Sequence, residues 1–228
     1  YSLNKFFFES IKNNRPYVKL KMAISSDKKI AWKDYSSKWI SNKLSRAEAH
    51  KIRYRSQAIL TTSKTVIKDN PRFTVRHNKK IIKYLPVIII DKSLKTPLDS
   101  YLIKTLSKRR IIIFTSKKGT KYEKLKLLGC EIYLLKKIIN TNDFNLSTIM
   151  SKIFSLKIKD ILIESGGIFF TKLMSKSLID EIHIFKAPFK IGEEGKSMLI
   201  KKNIEEFQYQ EISKKKFGKD VFFLLIKK

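Results

Sequence analysis

Apolar and polar residues alternate with a period of two from Tyr17 to Ile24, where Val18, Leu20 and Met22 are set against Lys19 and Lys21. That alternation predicts a first strand, preceded by a short amphipathic lead-in over residues 1–14. A polar loop follows around Asp27 to Lys38. Beyond it, Ser45 and Glu48 have capping-box spacing and Ala49 and Ile52 continue an apolar stripe, so a helix is predicted over Asn42–Arg55. Short β-like runs recur at Ala58–Thr61, Val87–Asp91, Ile111–Thr115, Glu131–Leu135 and Ile161–Glu164, most of them separated by helical or loop stretches. Ile149, Met150, Ile153 and Phe154 have helical spacing within Ser147–Ile158, and a second helix, Ile168–Leu178, opens after Gly166 and Gly167. Glu181–Lys186 reads as another strand. Phe207–Ile212 and Val221–Ile226 bracket Lys214–Lys219, where Gly218 suits a hairpin connection. The order predicts the α/β class: one domain over residues 1–228, with a largely parallel central sheet, helices on both faces and an antiparallel C-terminal hairpin.

Composition changes this picture only at the margins. A chain of 228 residues, 43% hydrophobic, can bury a sizeable core. Its longest apolar runs, such as Pro86–Ile90 and Val221–Ile226, fall far short of the ~20 residues that cross a bilayer, so no membrane partner is expected. Phe6–Phe8 is too short for a signal-peptide core and Glu9 follows it. Cys130 is the only cysteine and there is no CxxC, which excludes an internal disulfide and a cysteine zinc site and predicts a reduced, cytoplasmic setting. The net charge of +30, taken alone, suggests nucleic acid or an anionic surface. Abundant lysine, isoleucine, asparagine and phenylalanine beside scarce glycine, alanine and arginine is what codon bias in an AT-rich genome produces. The lysines are also scattered, so the favoured reading is a solvated surface with no nucleic-acid partner, able to attract phosphorylated substrates.

Two segments carry candidate chemistry. In Ile161-Leu-Ile-Glu-Ser-Gly-Gly-Ile-Phe-Phe an apolar strand ends in Glu164, and two glycines lead into a helix. Parallel sheets bind ligands beyond the carboxyl ends of their strands, and a helix N-terminus behind side-chain-free residues suits a phosphate. An ordinary tight strand-to-helix turn fits the same letters. The second segment, Thr61 to Arg76, crowds hydroxyls, Asp69 and Arg76 after a strand and is suited to ribose hydroxyls and phosphates, although a capped loop is the simpler reading. His50, His77 and His183 show neither HxxxH nor HxE spacing, so no metal is expected.

Read together, these segments resemble the reductase domain of the bifunctional riboflavin-biosynthesis deaminase/reductase, with its dihydrofolate-reductase-like fold. Three stretches carry the likeness: Arg15-Pro-Tyr-Val-Lys-Leu-Lys-Met-Ala through Ser25 and Asp27 to Ser37-Lys-Trp-Ile; Arg53 through Ala58-Ile-Leu-Thr and Thr65 to Asp69-Asn-Pro and Thr74-Val-Arg; and Ile163-Glu-Ser-Gly-Gly to Leu178-Ile-Asp-Glu-Ile, Ala187-Pro and Ile191-Gly. The resemblance implies NADPH-dependent reduction of 5-amino-6-(5-phosphoribosylamino)uracil to its ribitylamino counterpart. It implies a cofactor site of Ala23, Trp39, Thr65, Asp69, Gly166, Gly167, Ile168, Phe169, Phe170, Thr171 and Lys172. Ser37, Arg53, Phe73, Arg76 and Glu164 would contact the substrate, Asp27 and Glu164 are the candidate proton donors, and a homodimer is implied.

Departures from the family narrow the expectation. Lys28 stands where the family usually has glycine, and Phe73 where leucine is common. The zinc deaminase half needs HxE with PCxxC, and neither is present, so no deaminase domain is expected within residues 1–228. The chain opens on Tyr1, which leaves two expectations: a piece of a longer protein, or a deaminase on a separate polypeptide. The alternatives are another reductase of the same fold acting on a different pterin or pyrimidine, a basic nucleic-acid-binding protein, and a decayed member with a structural role.

Overall fold

A computed structural model describes residues 5–34, 40–198 and 207–228; Ser37 and Trp39 lie outside them. In chain order its helices and strands are α1 (Lys5–Lys12), β1 (Tyr17–Ile24), β2 (Lys29–Ala31), α2 (Lys43–Tyr54), β3 (Ala58–Thr62), α3 (Ser63–Asp69), β4 (Thr74–His77), β5 (Lys80–Tyr84) and β6 (Val87–Ile90). A 3₁₀ helix (Ile103–Lys108) leads to β7 (Ile111–Thr115), α4 (Thr120–Leu127), β8 (Glu131–Leu134), α5 (Leu146–Ser155), β9 (Asp160–Ile163) and α6 (Gly167–Ser175). The chain ends with β10 (Glu181–Lys186), β11 (Lys196–Ser197), β12 (Tyr209–Phe217) and β13 (Asp220–Lys227). Two compact units form, one from Tyr1–Tyr17 with Arg53–Leu162 and one from Val18–Ile52 with Ile163–Lys228.

In the first unit β3, β6, β7 and β8 pair in parallel, in that order, with Ile59 opposite Val87 and Ile88 opposite Ile112. Alternate residues of these strands, among them Ile59, Val87, Ile89, Ile111 and Ile113, pack with Val66, Phe73, Val75, Leu102 and Leu125 into one apolar cluster. The residues between them are buried too, so β6 and β7 are enclosed along their whole length, as parallel strands covered on both faces are. β4 and β5 form a separate antiparallel hairpin closed by Asn78 and Lys79, both at positive φ.

In the second unit β1 and β10 are parallel, while β13 pairs antiparallel with both β10 and β12. The α/β expectation therefore holds, with parallel pairing first and an antiparallel hairpin at the C-terminal end. Local readings needed four corrections. Lys214–Phe217 belongs to β12, and the turn shrinks to Gly218 (φ 61) and Lys219, because lysines are tolerated on an exposed strand. The expected capping box at Ser45 and Glu48 does not form: Asn42 Oδ1 accepts the Ser45 N–H at 3.0 Å, and the Ser45 hydroxyl donates to Asp220 at 2.6 Å. Glu48 pairs with Lys51 instead. Finally, residues 63–69, read as a capped loop, are helical, and β2 interrupts the expected polar loop.

Candidate active site

In the second unit, chemistry gathers at the ends of β1 and β9. The turn after β1 is built by Ser25, whose N–H donates to the Lys29 carbonyl at 2.9 Å, and it places Lys28 at φ 61. That left-handed conformation explains why glycine suits this position, and Lys28 holds it at a cost of roughly 1 kcal/mol. Asp27, in the same turn, accepts hydrogen bonds from Ser25 Oγ at 2.5 Å, the Gly192 N–H at 2.8 Å and the Ile191 N–H at 3.1 Å. Burial alone would push its carboxyl up. The Ser25 hydroxyl and the Gly192 and Ile191 amides outweigh that and hold it down at about 2. Asp27 is therefore an ionised clamp on the 191–192 loop near neutral pH, which makes it a poor proton donor.

Glu164 follows β9, is 9% exposed, and has an oxygen 3.8 Å from Lys21 Nζ on β1. Ala23, also on β1, is half-buried opposite Phe185. Gly166 is the N-cap of α6 and offers no side-chain cap. The two glycines differ in a way their letters do not show. A Cβ on Gly166 would meet nothing within 4 Å, whereas one on Gly167 would lie 2.7 Å from the carbonyl oxygens of both Ser197 and Met198. Gly167 is required by the close approach of the Ser197 and Met198 carbonyls; Gly166 faces open space at the start of α6. Ile168 is exposed, Phe169 and Phe170 are buried, Lys172 is exposed, and the Thr171 hydroxyl donates to the Gly167 carbonyl at 2.8 Å.

In the first unit, Thr62 caps α3 by accepting the Thr65 N–H at 3.4 Å, with the two hydroxyls 3.3 Å apart. Asp69 is exposed and ends the helix, before Asn70 at φ 38. The chain then turns through Phe73, buried at φ 43, into β4 and Arg76. Arg53 reaches this turn, donating to the Thr74 carbonyl at 3.2 Å with its guanidinium 5.9 Å from the centre of the Phe73 ring. Desolvation, then the positive charges of Arg53 and Arg72, push the Arg76 pKa down. That repulsion is one a bound dianion relieves. The fold thus brings Arg53, Phe73 and Arg76 together, and Ala23, Asp27, Glu164 and Gly166–Lys172 lie in the other unit. Sequence reasoning missed Arg72 and the buried Arg109, whose guanidinium donates to the carbonyls of Arg72 and Phe73; neither carries a motif signal.

The family model of the RibD C-terminal domain matches residues 16–223. The chain belongs to the RibD C-terminal domain family. A riboflavin biosynthesis protein RibD of Aquifex aeolicus is 38% identical over 194 residues, covering 84% of this chain and 51% of the relative. The chain thus spans about half the length of that curated relative. A chloroplastic riboflavin biosynthesis protein PYRR of Zea mays is 29% identical, over 87% of this chain and 32% of its own. Among solved structures, Acinetobacter baumannii RibD has a TM-score of 0.84 at 23% identity, covering 99% of this chain and 62% of that one. The Saccharomyces cerevisiae reductase Rib7 has a TM-score of 0.72 at 16% identity, covering 93% and 90%. These likenesses show the dihydrofolate-reductase-like fold, and family membership bears out the reductase-domain resemblance carried by the motifs.

Proposed function

We propose that this RibD-family reductase domain reduces 5-amino-6-(5-phosphoribosylamino)uracil to 5-amino-6-(5-phosphoribitylamino)uracil with NADPH. The observation that carries the reading is the gathering of Arg53, Phe73 and Arg76 about one turn, with Arg53 donating to the Thr74 carbonyl and its guanidinium beside the Phe73 ring, an arrangement suited to a sugar phosphate. Open space at Gly166 before an uncapped helix fits the phosphates of a dinucleotide. When bound, NADPH supplies hydride to C1 of the ribose.

The residues of the chain do the rest. Arg53 and Arg76 grip the substrate phosphate, Ser37 and Phe73 contact the sugar and ring, and Ala23, Trp39, Thr65, Asp69 and the Gly166–Lys172 segment hold the cofactor. The sugar ring opens to an imine, C1 takes the hydride, and the former glycosidic nitrogen takes a proton. Glu164 contacts the substrate and, with water, supplies that proton; Asp27 stays ionised and fixes the turn. Residues 1–228 act as one reductase domain, in the cytoplasm, as a homodimer, with the deaminase either linked or separate.

Steady-state NADPH oxidation with the pyrimidine nucleotide is the direct test, with turnover as the expected result. Absence of turnover with that substrate, alongside turnover of a dihydropterin, would replace the reading with another reductase of this fold. Salt-sensitive DNA binding without NADPH binding would replace it altogether.

A further inference from the structure

We infer that Arg109 is a positioning residue for the phosphate grip: its buried guanidinium fixes the left-handed turn at Phe73 and thereby presents Arg76. This rests on the phosphate reading proposed above. Arg109 follows the 3₁₀ helix with extended backbone and is 6% exposed. Its Nη1 donates to the Phe73 carbonyl at 3.2 Å and its Nη2 to the Arg72 carbonyl at 2.9 Å. The guanidinium carbon lies 5.0 Å from the centre of the Tyr84 ring and 5.8 Å from that of Tyr101. Burying a permanent charge is unfavourable, and an apolar side chain would fill the same space without that cost. What an apolar side chain cannot do is hold two successive carbonyls with a planar fork.

The turn needs holding. Phenylalanine at φ 43 is in a region that side chains with a Cβ avoid. Arg53 donates to the next carbonyl, that of Thr74, so three consecutive carbonyls receive a guanidinium N–H. At the start of the same turn, Asn70 Oδ1 accepts the Tyr101 N–H at 2.8 Å. The segment that leaves this frame is β4, which carries Arg76. Arg109 is too enclosed to reach a ligand itself, so its effect passes through Phe73 to the exposed arginines.

Arg109→Lys keeps the charge and removes the fork, and Arg109→Gln keeps a donor and removes the charge; the second serves where the first does not fold, with thermal melting as the check. With the phosphorylated substrate, KM is expected to rise roughly tenfold while kcat stays within about twofold. With the dephosphorylated ribosylamino analogue, KM is expected to stay put. A merely structural role would weaken both substrates alike and lower Tm. A folded variant that keeps the native preference for the phosphorylated substrate overturns the inference. Calorimetric binding of ribose 5-phosphate repeats the comparison without turnover. If the native chain binds it and Arg109→Lys binds it equally well, Arg109 is dismissed while the reaction reading stands. If the variant binds more weakly but the native chain never reduces the pyrimidine, the reaction reading falls and Arg109 keeps its role. A native chain that binds no ribose 5-phosphate removes both the phosphate reading and this one.

Discussion

Substituting alanine at Gly166 and at Gly167 separates the cofactor reading from packing, because adjacent glycines are asked to fail for different reasons. At Gly167 the added methyl would sit 2.7 Å from two main-chain oxygens, against 3.4 Å or more in ordinary contact. Neither oxygen can rotate away as a side chain would, so the overlap costs about 1–3 kcal/mol. Gly167 is the first residue of α6, so alanine recovers only a fraction of the ~1 kcal/mol propensity gain of a helix interior, and the net loss stays at about 1–2 kcal/mol. For a 228-residue chain that corresponds to a Tm drop of roughly 2–8 °C. At Gly166 the methyl meets open space and the backbone, at φ −86 and ψ 167, suits any residue. Only the weaker cap is lost, about 0.5 kcal/mol. That methyl stands where a phosphate would approach the helix amides, so KM for NADPH should rise about tenfold or more with Tm nearly unchanged. Thermal melting and NADPH titration of both variants decide the matter. Gly166→Ala with native KM for NADPH removes the turn from the cofactor site, and Gly167→Ala with native Tm refutes the packing account.

Other consequences are as direct. Arg76→Ala should raise the substrate KM about tenfold or more, and an unchanged KM removes it from the phosphate grip. The Asp27 carboxyl is held at about 2, below its ordinary 3.8, so its stabilising effect is complete above that ordinary value and fades as pH falls through about 2. Unscreened, that difference is about 2.4 kcal/mol, and solvent screening reduces it to about 1 kcal/mol, so Asp27→Asn should lose about that much at neutral pH and progressively less as pH falls toward and below about 2 in denaturant titrations. Lys28→Gly should gain roughly 1 kcal/mol in the same assay, since φ 61 suits glycine. Cys130 is buried, which pushes its thiol up to about 12, so iodoacetamide should label it only after unfolding.

How much of this was legible in the letters follows from the range of the forces involved. β1, β7 and β10 have the boundaries their patterns predict, because short apolar-rich runs mark strands, yet the alternation does not report burial: Lys19, Glu181 and His183 are buried beside the apolar positions. Helix α3 was hidden: its start depends on the Thr62 hydroxyl and its end on Asn70 at positive φ, in a segment whose hydroxyls equally suit a loop. The Ser45–Glu48 spacing misled for the opposite reason, since a distant acceptor, Asp220, lies 175 positions along the chain and takes the hydroxyl. A capping motif describes what a side chain can do locally and is silent about a better partner that folding delivers.

The candidate site shows the same division more sharply. Family-like letters located Arg53, Phe73 and Arg76, yet the geometry that makes them a group depends on Arg109, 36 positions beyond Phe73, holding main-chain carbonyls that have no sequence signature at all. Asp27 illustrates the converse. Its place in a family-like stretch drew it into the proton-donor list, and only its hydrogen-bond donors, the Ser25 hydroxyl and the backbone amides of Ile191 and Gly192, reveal a carboxylate kept charged and fixed. Residue type sets which chemistry is available, and the donors arriving from far along the chain decide which form of the group exists. The role of Glu164, beside Lys21 at the end of β9, is decided on the same terms: a Gln that preserves turnover would mark it as a holder of substrate rather than a source of protons.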